Sequence, residues 1–223
     1  MLKHLSQLKK PELIRNCVQF GLPITGTRQV LIDNIVNACD QVVVPKDIIA
    51  MDIGTSNLGY IHLETSSKNI IDWKLIDPQF PKGFDIAAYS TILNKLIPKN
   101  NVQYVIEKQS YRLGTRIPYA ILKTNAIEAI LSGLFVNQVE SIPPQMVSKY
   151  FELPKSDYKL KKKKSIELVA SLIEKGELSV GKHALETFQL SKKKDDLSDC
   201  FLIAYAYYQW KLKLLNFRNR FNK

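Results

Sequence analysis

The chain has 223 residues, of which 45% are hydrophobic and 24% are charged. This balance is typical of a folded globular protein and excludes collagen-like, low-complexity and mostly disordered classes. The 32 Lys and Arg residues outnumber the 21 Asp and Glu residues, which gives a formal net charge of +11. An excess of this size favours a polyanionic partner, with plain solubility as the alternative explanation.

The cysteine and hydropathy patterns indicate the compartment of the protein and whether it enters a membrane. The 3 cysteines are far apart and form no Cys-x-x-Cys pair, which favours a reducing compartment and argues against a zinc site. The most apolar stretch, residues 200–210, is about half as long as a membrane span, so we expect no membrane association. Residues 1–11 hold basic groups and no acid, as transit peptides do, but no serine-rich and arginine-rich segment precedes the first structural pattern. The residues themselves therefore leave targeting open.

Residues 1–40 predict two short helices around a glycine turn. Pro11 is suited to begin the first helix, and Gly21 to end it in the left-handed conformation. Thr27 is a suitable N-cap for the second helix. The expected inner faces are Leu13, Ile14, Cys17 and Val18 in the first helix and Val30, Leu31, Ile35 and Ala38 in the second. Because a unit this small buries little surface, we expect it to be a binding module attached to a larger domain.

After a linker at 41–46, the pattern changes to that of an α/β domain spanning 41–223. The expected strands are Asp47–Ile53, Asn57–Leu63, Ile70–Ile76, Val102–Ile106 and Leu134–Glu140. The expected helices are Ile86–Leu96, Ile117–Leu131, Lys164–Glu174 and Asp196–Leu215. Three hairpin-type strands followed by alternating helix and strand indicate a mixed five-stranded sheet flanked by helices.

Acidic residues occur where these elements end. Asp52 lies inside an apolar strand, and Glu107 directly follows another. Asp195, Asp196 and Asp199 precede an apolar helix, and spacings of three and four residues put Asp199 on one face with both of the others. A lone buried carboxylate is costly unless it is paired or binds a cation. We therefore expect these acids to have partners.

Each acid also has a simpler explanation. Asp195 or Asp196 can cap its helix, Glu107 can pair with a lysine, and Asp52 can accept hydrogen bonds from the turn at 54–56. Their coincidence at ends that can converge favours a shared site, because clustered carboxylates repel unless a divalent cation lies between them. Oxygen-rich sites of this kind suit Mg²⁺ or Mn²⁺, and two such ions can drive phosphodiester hydrolysis without a covalent nucleophile.

Two parts of the chain carry a family resemblance. Residues 3–38, with Gly-Leu-Pro at 21–23 and Thr-Gly-Thr at 25–27, resemble the SAP-type DNA-binding module. The motifs at 51–59, 105–109 and 196–199, in that order, resemble the ribonuclease H-like Holliday-junction resolvases of the RuvC type, above all their fungal mitochondrial members. The resemblance implies a mitochondrial homodimer that cuts four-way DNA junctions by paired symmetric nicks and needs no nucleotide cofactor.

The same resemblance implies site residues. Asp52, Glu107, Asp196 and Asp199 would hold two Mg²⁺ or Mn²⁺ ions, and Asp195 would replace Asp196 if the helix began one residue earlier. In the SAP-like module, Lys9, Lys10 and Arg28 would contact phosphates. The helix at 125–133, with alternating small and large apolar groups, would help to form the dimer, and packing against the sheet is the plain alternative.

Basic residues mark a second DNA-binding surface. The segment 149–164 carries seven lysines against two acids, and we expect phosphate contacts there, although a solvated helix start would show the same charges. The family resemblance implies Lys149 and Lys164 as the contacts, with Lys163 an equal choice for the second. Tyr111, flanked by Arg112 and Arg116, has the pattern of an aromatic that stacks on an unpaired base, with a core tyrosine as the alternative.

Two other functions fit parts of the sequence. Residues 52–56 also resemble the first phosphate loop of actin-like and sugar-kinase-like phosphotransferases. That class needs a second glycine-rich loop and a glycine pair for adenosine, whereas this chain has 9 glycines and no Gly-Gly. A non-catalytic junction-binding architectural protein is the remaining alternative, and the presence of every expected acid argues against it.

Overall fold

The computed structural model describes residues 1–98, 102–108, 118–154 and 157–221. The helices are α1 Leu2–Leu5, α2 Lys10–Phe20, α3 Arg28–Gln41, α4 Ile86–Leu96, α5 Tyr119–Leu134, α6 Pro144–Tyr150, α7 Tyr158–Glu174, α8 Lys182–Leu190 and α9 Lys194–Phe221. The strands are β1 Asp47–Ile53, β2 Leu58–Glu64, β3 Asn69–Ile76, β4 Gln103–Glu107, β5 Val139–Ile142 and β6 Ser179–Val180.

The strands form one six-stranded sheet in the order β5-β4-β1-β2-β3-β6. β1, β2 and β3 are an antiparallel meander, while β4 pairs parallel to β1, and β5 parallel to β4. The predicted mixed sheet flanked by helices is confirmed, with one strand more than expected. β6 is only two residues long and pairs with Asn69 and Ile70, too short for a periodic pattern in the sequence.

Two hydrophobic layers cover the sheet, and the alternation of strand side chains decides which layer each residue joins. In β1, Ile48 and Ala50 belong to the layer built around α9, whereas Ile49 and Met51 belong to the layer under α4 and α5. In β4, Val105 faces α9 in the same way. The next alternate position is Asp52 in β1 and Glu107 in β4. Both acids therefore lie on the α9 side of the sheet.

The fifth predicted strand, Leu134–Glu140, exists but has the wrong bounds. α5 continues to Leu134, and β5 begins only at Val139. Leu134 extends the apolar stripe of the helix, and Phe135 then stacks on the Tyr104 ring at a centroid distance of 4.2 Å. An apolar run at a helix end has no period of its own, so the sequence did not separate the last helical turn from a strand.

The sequence did not predict α1, α6 and α8, and it misplaced the start of α7 and both ends of α5 and α9. α7 begins at Tyr158, six residues before the expected start, with Asp157 as its N-cap accepting from the Leu160 N–H at 2.9 Å. The lysine-rich start of α7 has too few apolar residues for a helical stripe to be visible. α9 runs on to Phe221 because its last turns pack against the N-terminal helices.

The N-terminal helices pack on the end of α9. Gly21 ends α2 in the left-handed conformation, at φ +68°, as the sequence predicted, and a Cβ there would lie 2.2 Å from a carbon of the Trp210 ring. Thr27 caps α3 as expected by accepting the Val30 N–H. The expectation that Val30 lies inside is wrong, because α3 buries Leu31, Ile32 and Ile35 and leaves Val30 42% exposed.

The last two features are the state of the cysteines and the length of the apolar helices. Cys17, Cys39 and Cys200 are all buried free thiols. Among the helices that the structure describes, none has both the length and the apolarity of a membrane span.

Candidate functional site

Two carboxyl groups meet at the ends of two neighbouring parallel strands. β1 and β4 are in register from Ile48 opposite Gln103 to Met51 opposite Ile106, so Asp52 and Glu107 are the next residues along each strand. Both positions lie on the α9 side of the sheet, and the two carboxyl groups are close enough to share a hydrogen bond. Such a bond requires a proton on one of them.

Burial and mutual repulsion control the protonation of this pair. Burial raises the pKa of Asp52 well above its usual value, and the charges of Glu107, Asp199 and Asp196 raise it further. Burial also raises the pKa of Glu107, although the positive charge of Lys161 acts in the opposite direction. Removal from water disfavours the charged form of a carboxyl group, and neighbouring carboxylates add to that cost.

The first turns of α9 bring two more acids to the pair. Gly59 lies opposite Asp52 in the β1–β2 ladder, and a Cβ on it would lie 2.6 Å from the Asp196 carbonyl oxygen. The Trp73 indole N–H donates to the Leu197 carbonyl oxygen at 3.1 Å, which fixes the same turn on the sheet. This close packing places Asp196 and Asp199 beside the strand ends.

The pKa values of Asp199 and Asp196 are raised as well. Burial raises the pKa of Asp199 to about 7, with a further contribution from the charge of Glu107. Burial raises the pKa of Asp196 as well, and the charge of Asp195 adds to it. The four acids, including Asp52, therefore form one electrostatically coupled group at this edge of the sheet.

Asp195 is held apart from that group. Its carboxylate accepts a hydrogen bond from the Lys162 ammonium, which also lies 4.8 Å from the centre of the Tyr158 ring. Burial alone would raise the pKa of Asp195, but the hydrogen bond and charge of Lys162 bring it below its usual value. The acid that the sequence left open as a substitute for Asp196 thus has a partner on α7.

A cavity of about 200 Å³ opens beside the acids. Its lining residues are Asp52, Gly54, Thr55, Ser56, Asn57, Lys193 and Asp196. The loop after β1 closes on itself, because the Gly54 N–H donates to the Asn57 carbonyl oxygen at 3.0 Å and leaves no room for a side chain on Gly54. Lys193 was not among the residues expected from the sequence, although the Lys-Lys-Lys run at 192–194 directly precedes the acidic cluster.

The donor set fits a hard divalent cation. Asp52, Glu107, Asp196 and Asp199 offer only carboxylate oxygens, the ligands that Mg²⁺ and Mn²⁺ prefer, and a cation between them would relieve their repulsion. Across the described ranges, no three His, Cys, Asp or Glu side chains already surround a common point as a closed cage. The observation that favours a cation is therefore the buried charge of the group, rather than a finished coordination geometry.

The lysines of α7 divide between two faces. Lys161 and Lys162 lie on the face that carries the buried Ser165 and point their charge toward the acids. Lys163 is exposed and pairs with Glu167 at 3.8 Å, and Lys164 is exposed too. Nothing in the sequence marks Ser165 as buried, so the lysine run alone gives no signal that separates Lys161 and Lys162 from Lys163 and Lys164.

The other expected DNA contacts have different surroundings. Lys149 lines a cavity at the end of α6 together with Lys161. Lys9 and Lys10 are exposed at the start of α2. The Arg28 guanidinium donates to the carbonyl oxygens of Ser6 and Leu8, so it ties down the chain that leads into α2. Tyr111, Arg112 and Arg116 lie outside the described residues.

Two family models match the chain. Residues 46–212 match the poxvirus A22 protein family, and residues 4–38 match the SAP domain. The first match covers well over half of the chain, so the chain belongs to the poxvirus A22 protein family.

Two further proteins are similar over nearly the whole chain. The mitochondrial cruciform cutting endonuclease 1 of Schizosaccharomyces pombe is 27% identical over 241 residues, which cover 91% of this chain and 92% of that protein. The crystal structure of the yeast mitochondrial Holliday junction resolvase Ydc2 matches with a TM-score of 0.74 and 22% identity, over 96% of this chain and 99% of that one. The fold implied by the sequence resemblance is thereby confirmed.

Proposed function

We propose that this chain is a structure-selective endodeoxyribonuclease that resolves four-way DNA junctions by paired symmetric nicks in mitochondrial DNA recombination and segregation. The observation that carries the proposal is the convergence of Asp52 and Glu107, at the ends of two neighbouring parallel strands, with Asp196 and Asp199 at the start of α9. The names of the two similar proteins, a cruciform cutting endonuclease and a Holliday junction resolvase, both mitochondrial, support the substrate and the location.

Asp52, Glu107, Asp196 and Asp199 would hold Mg²⁺ or Mn²⁺, in our proposal as two ions. Asp195 is the less suitable ligand because Lys162 already occupies its carboxylate. When bound, the ions would supply an activated water and stabilise the leaving oxygen of the phosphodiester.

The residues of the chain contribute positioning and charge. Asp52 lies on the central strand, within reach of the other acids, so it is the natural shared ligand. Cation binding must displace the proton between Asp52 and Glu107, because carboxylates bind metals in their ionised form.

DNA binding would be divided between two domains, a SAP-like module at 1–40 and the nuclease domain at 41–223. Lysines from both would neutralise phosphates, which makes the affinity strongly dependent on salt. The proposed contacts are Lys9, Lys10, Arg28, Tyr111, Arg112, Arg116, Lys149, Lys163 and Lys164, to which the structure adds Lys161 as a candidate.

A homodimer would place two such sites at a fixed distance, as paired incision requires. α5 buries Ile127 and Leu131 against the sheet and leaves Leu122, Ala129 and Gly133 exposed on its outer side. A Cβ on Gly133 would meet nothing within 4 Å, so this side of the helix is open to a second copy. We propose this face as part of the dimer contact.

The deciding experiment uses a synthetic four-way junction and a linear duplex of the same sequence. The protein should cut only the junction, at two symmetric positions, and only with Mg²⁺ or Mn²⁺. Asp52→Asn should bind the junction with unchanged affinity and cut neither DNA. Binding without any cutting by the unmodified protein would favour the architectural alternative, and ATP-dependent transfer of phosphate would favour the kinase alternative.

A further inference from the structure

A second cavity, of about 380 Å³, lies between α6 and the start of α7. Its lining residues are Pro144, Gln145, Ser148, Lys149, Pro154 and Lys161. It shares no residue with the cavity that Asp52 and Asp196 line. Its volume is within the range of sites that bind small molecules or single nucleotides.

Strand register places this cavity next to the carboxyl groups. Glu107, the last residue of β4, lies opposite Ile142, the last residue of β5, and the Lys108 N–H donates to the Ile142 carbonyl oxygen at 2.8 Å. Pro144, two residues further, begins α6 and forms a wall of the cavity. Lys161 lies on the other side, and its charge lowers the pKa of Glu107 against the effect of burial. A DNA strand held at the acids would therefore pass the mouth of this cavity.

The lining combines three kinds of group. The rings of Pro144 and Pro154 are rigid apolar surfaces, Gln145 and Ser148 carry hydrogen-bond donors and acceptors, and two lysine ammonium groups add positive charge. A phosphate group alone would use the lysines and leave the apolar walls without a function. A nucleobase together with its own phosphate uses all three kinds, because a base needs apolar faces, an edge partner and a neutralised backbone.

We propose that this cavity binds one unstacked nucleobase of the strand being cut and reads its edge through Gln145 and Ser148. The inference rests on the proposed function and adds a base-specificity site to it. A base at the crossover of a junction has fewer stacking partners than one inside a duplex, so its removal from the stack costs less. Cutting would then depend on the base next to the scissile phosphate.

The first test compares cutting rates on a panel of junctions that differ by one base at each position around the cut. The unmodified protein should prefer one base by roughly fivefold or more, since a glutamine or serine contact to a base edge discriminates by that order. Gln145→Leu should reduce the preference to within about twofold, measured as the ratio of cutting rates in saturated complexes. Gln189→Leu, an exposed position on α8, is the matched control and should keep the preference. Equal rates on all junctions by the unmodified protein, or an unchanged preference in Gln145→Leu, would overturn the proposal.

The second test does not depend on cutting. In a set of junctions that carry 2-aminopurine at one position each around the crossover, the fluorescence of one junction should rise when Asp52→Asn binds it without divalent ions, because the probe base leaves its stack. The double variant Asp52→Asn, Ser148→Phe fills the cavity and should bind at saturation without this rise in emission. The same rise in both proteins would refute the cavity as the base site. If the unmodified protein cuts no junction at all, the proposed function fails, and this emission still decides on the cavity.

Discussion

Gly59 and Asp196 are in close contact across the gap between the sheet and α9, since a Cβ on Gly59 would lie 2.6 Å from the Asp196 carbonyl oxygen. Gly59 is also the ladder partner of Asp52. The absence of a side chain at one position therefore allows the start of α9 to approach the strand that carries the central acid. The distance between the two groups of acids depends on this contact.

We expect Gly59→Ala to lower the free energy of unfolding by about 1–3 kcal/mol, as overpacking does. Because the added methyl group displaces the first turn of α9, junction cutting should fall further than the stability loss explains, while junction binding stays. Denaturant unfolding, a binding assay and a cutting assay measure the three quantities. Gly181→Ala is the control, as a Cβ there meets nothing within 4 Å. Full activity of Gly59→Ala would contradict the assigned role of the close approach.

Asp195 and Asp196 should respond differently to removal of their charge. Asp196→Asn should reduce cutting by roughly 100-fold or more, because a metal ligand supplies several kcal/mol of charge stabilisation. Asp195→Asn should reduce it much less, because the Asp195 carboxylate binds Lys162 instead. Single-turnover cutting rates at saturating Mg²⁺ measure both. The reverse order of losses would make Asp195 the ligand.

Without divalent ions, the protein should become more stable as the pH falls from about 8 to about 5. Burial raises the pKa of Asp52 and Glu107, and that of Asp199 to about 7. A carboxyl group with a raised pKa binds its proton more tightly in the folded chain than in the unfolded one, so its ionisation above that pKa destabilises the fold. This penalty disappears below the unfolded pKa of about 4. Thermal unfolding in EDTA across this range measures the effect.

Two comparisons make the pH prediction specific to the acids. Asp52→Asn should be more stable than the unmodified protein at about pH 8 and should depend less on pH, because one buried charge is gone. Added Mg²⁺ should stabilise the unmodified protein more at high pH than at low pH, because protons compete with the ion. A stability that decreases steadily with acid over the same range would disprove the buried ionised group.

The double variant Lys9→Ala, Lys10→Ala should weaken junction binding without a change in the cutting rate of saturated complexes. Each phosphate contact that is lost should reduce the dependence of log K on log salt by about one. The control is Lys68→Ala, Lys175→Ala, two exposed lysines at the end of the sheet where β1 begins, far along the strand from Asp52. Fluorescence anisotropy at several salt concentrations measures the slopes. An unaltered slope would remove the module from the proposed DNA surface.

Several features of the site are visible in the sequence. Asp52 lies inside one apolar run and Glu107 directly follows another; both runs were predicted as strands, and the structure pairs them as parallel neighbours that end at the same edge. The glycine and threonine signals at Gly21 and Thr27 also predicted the turn and the cap that the structure shows. In each of these cases a local pattern of a few residues is sufficient, because the backbone chemistry of those residues has few alternatives.

Other features were decided by contacts between distant segments. The sequence left Asp195 and Asp196 equivalent, and the ammonium of Lys162 on another helix separates them. It also favoured Lys163 and Lys164, while the packing of Ser165 turns Lys161 and Lys162 toward the acids. A helical side chain is directed by where its helix starts and by which face is buried. Neither is set within the lysine run itself, so only the folded arrangement of α7 against α9 determines which charges meet.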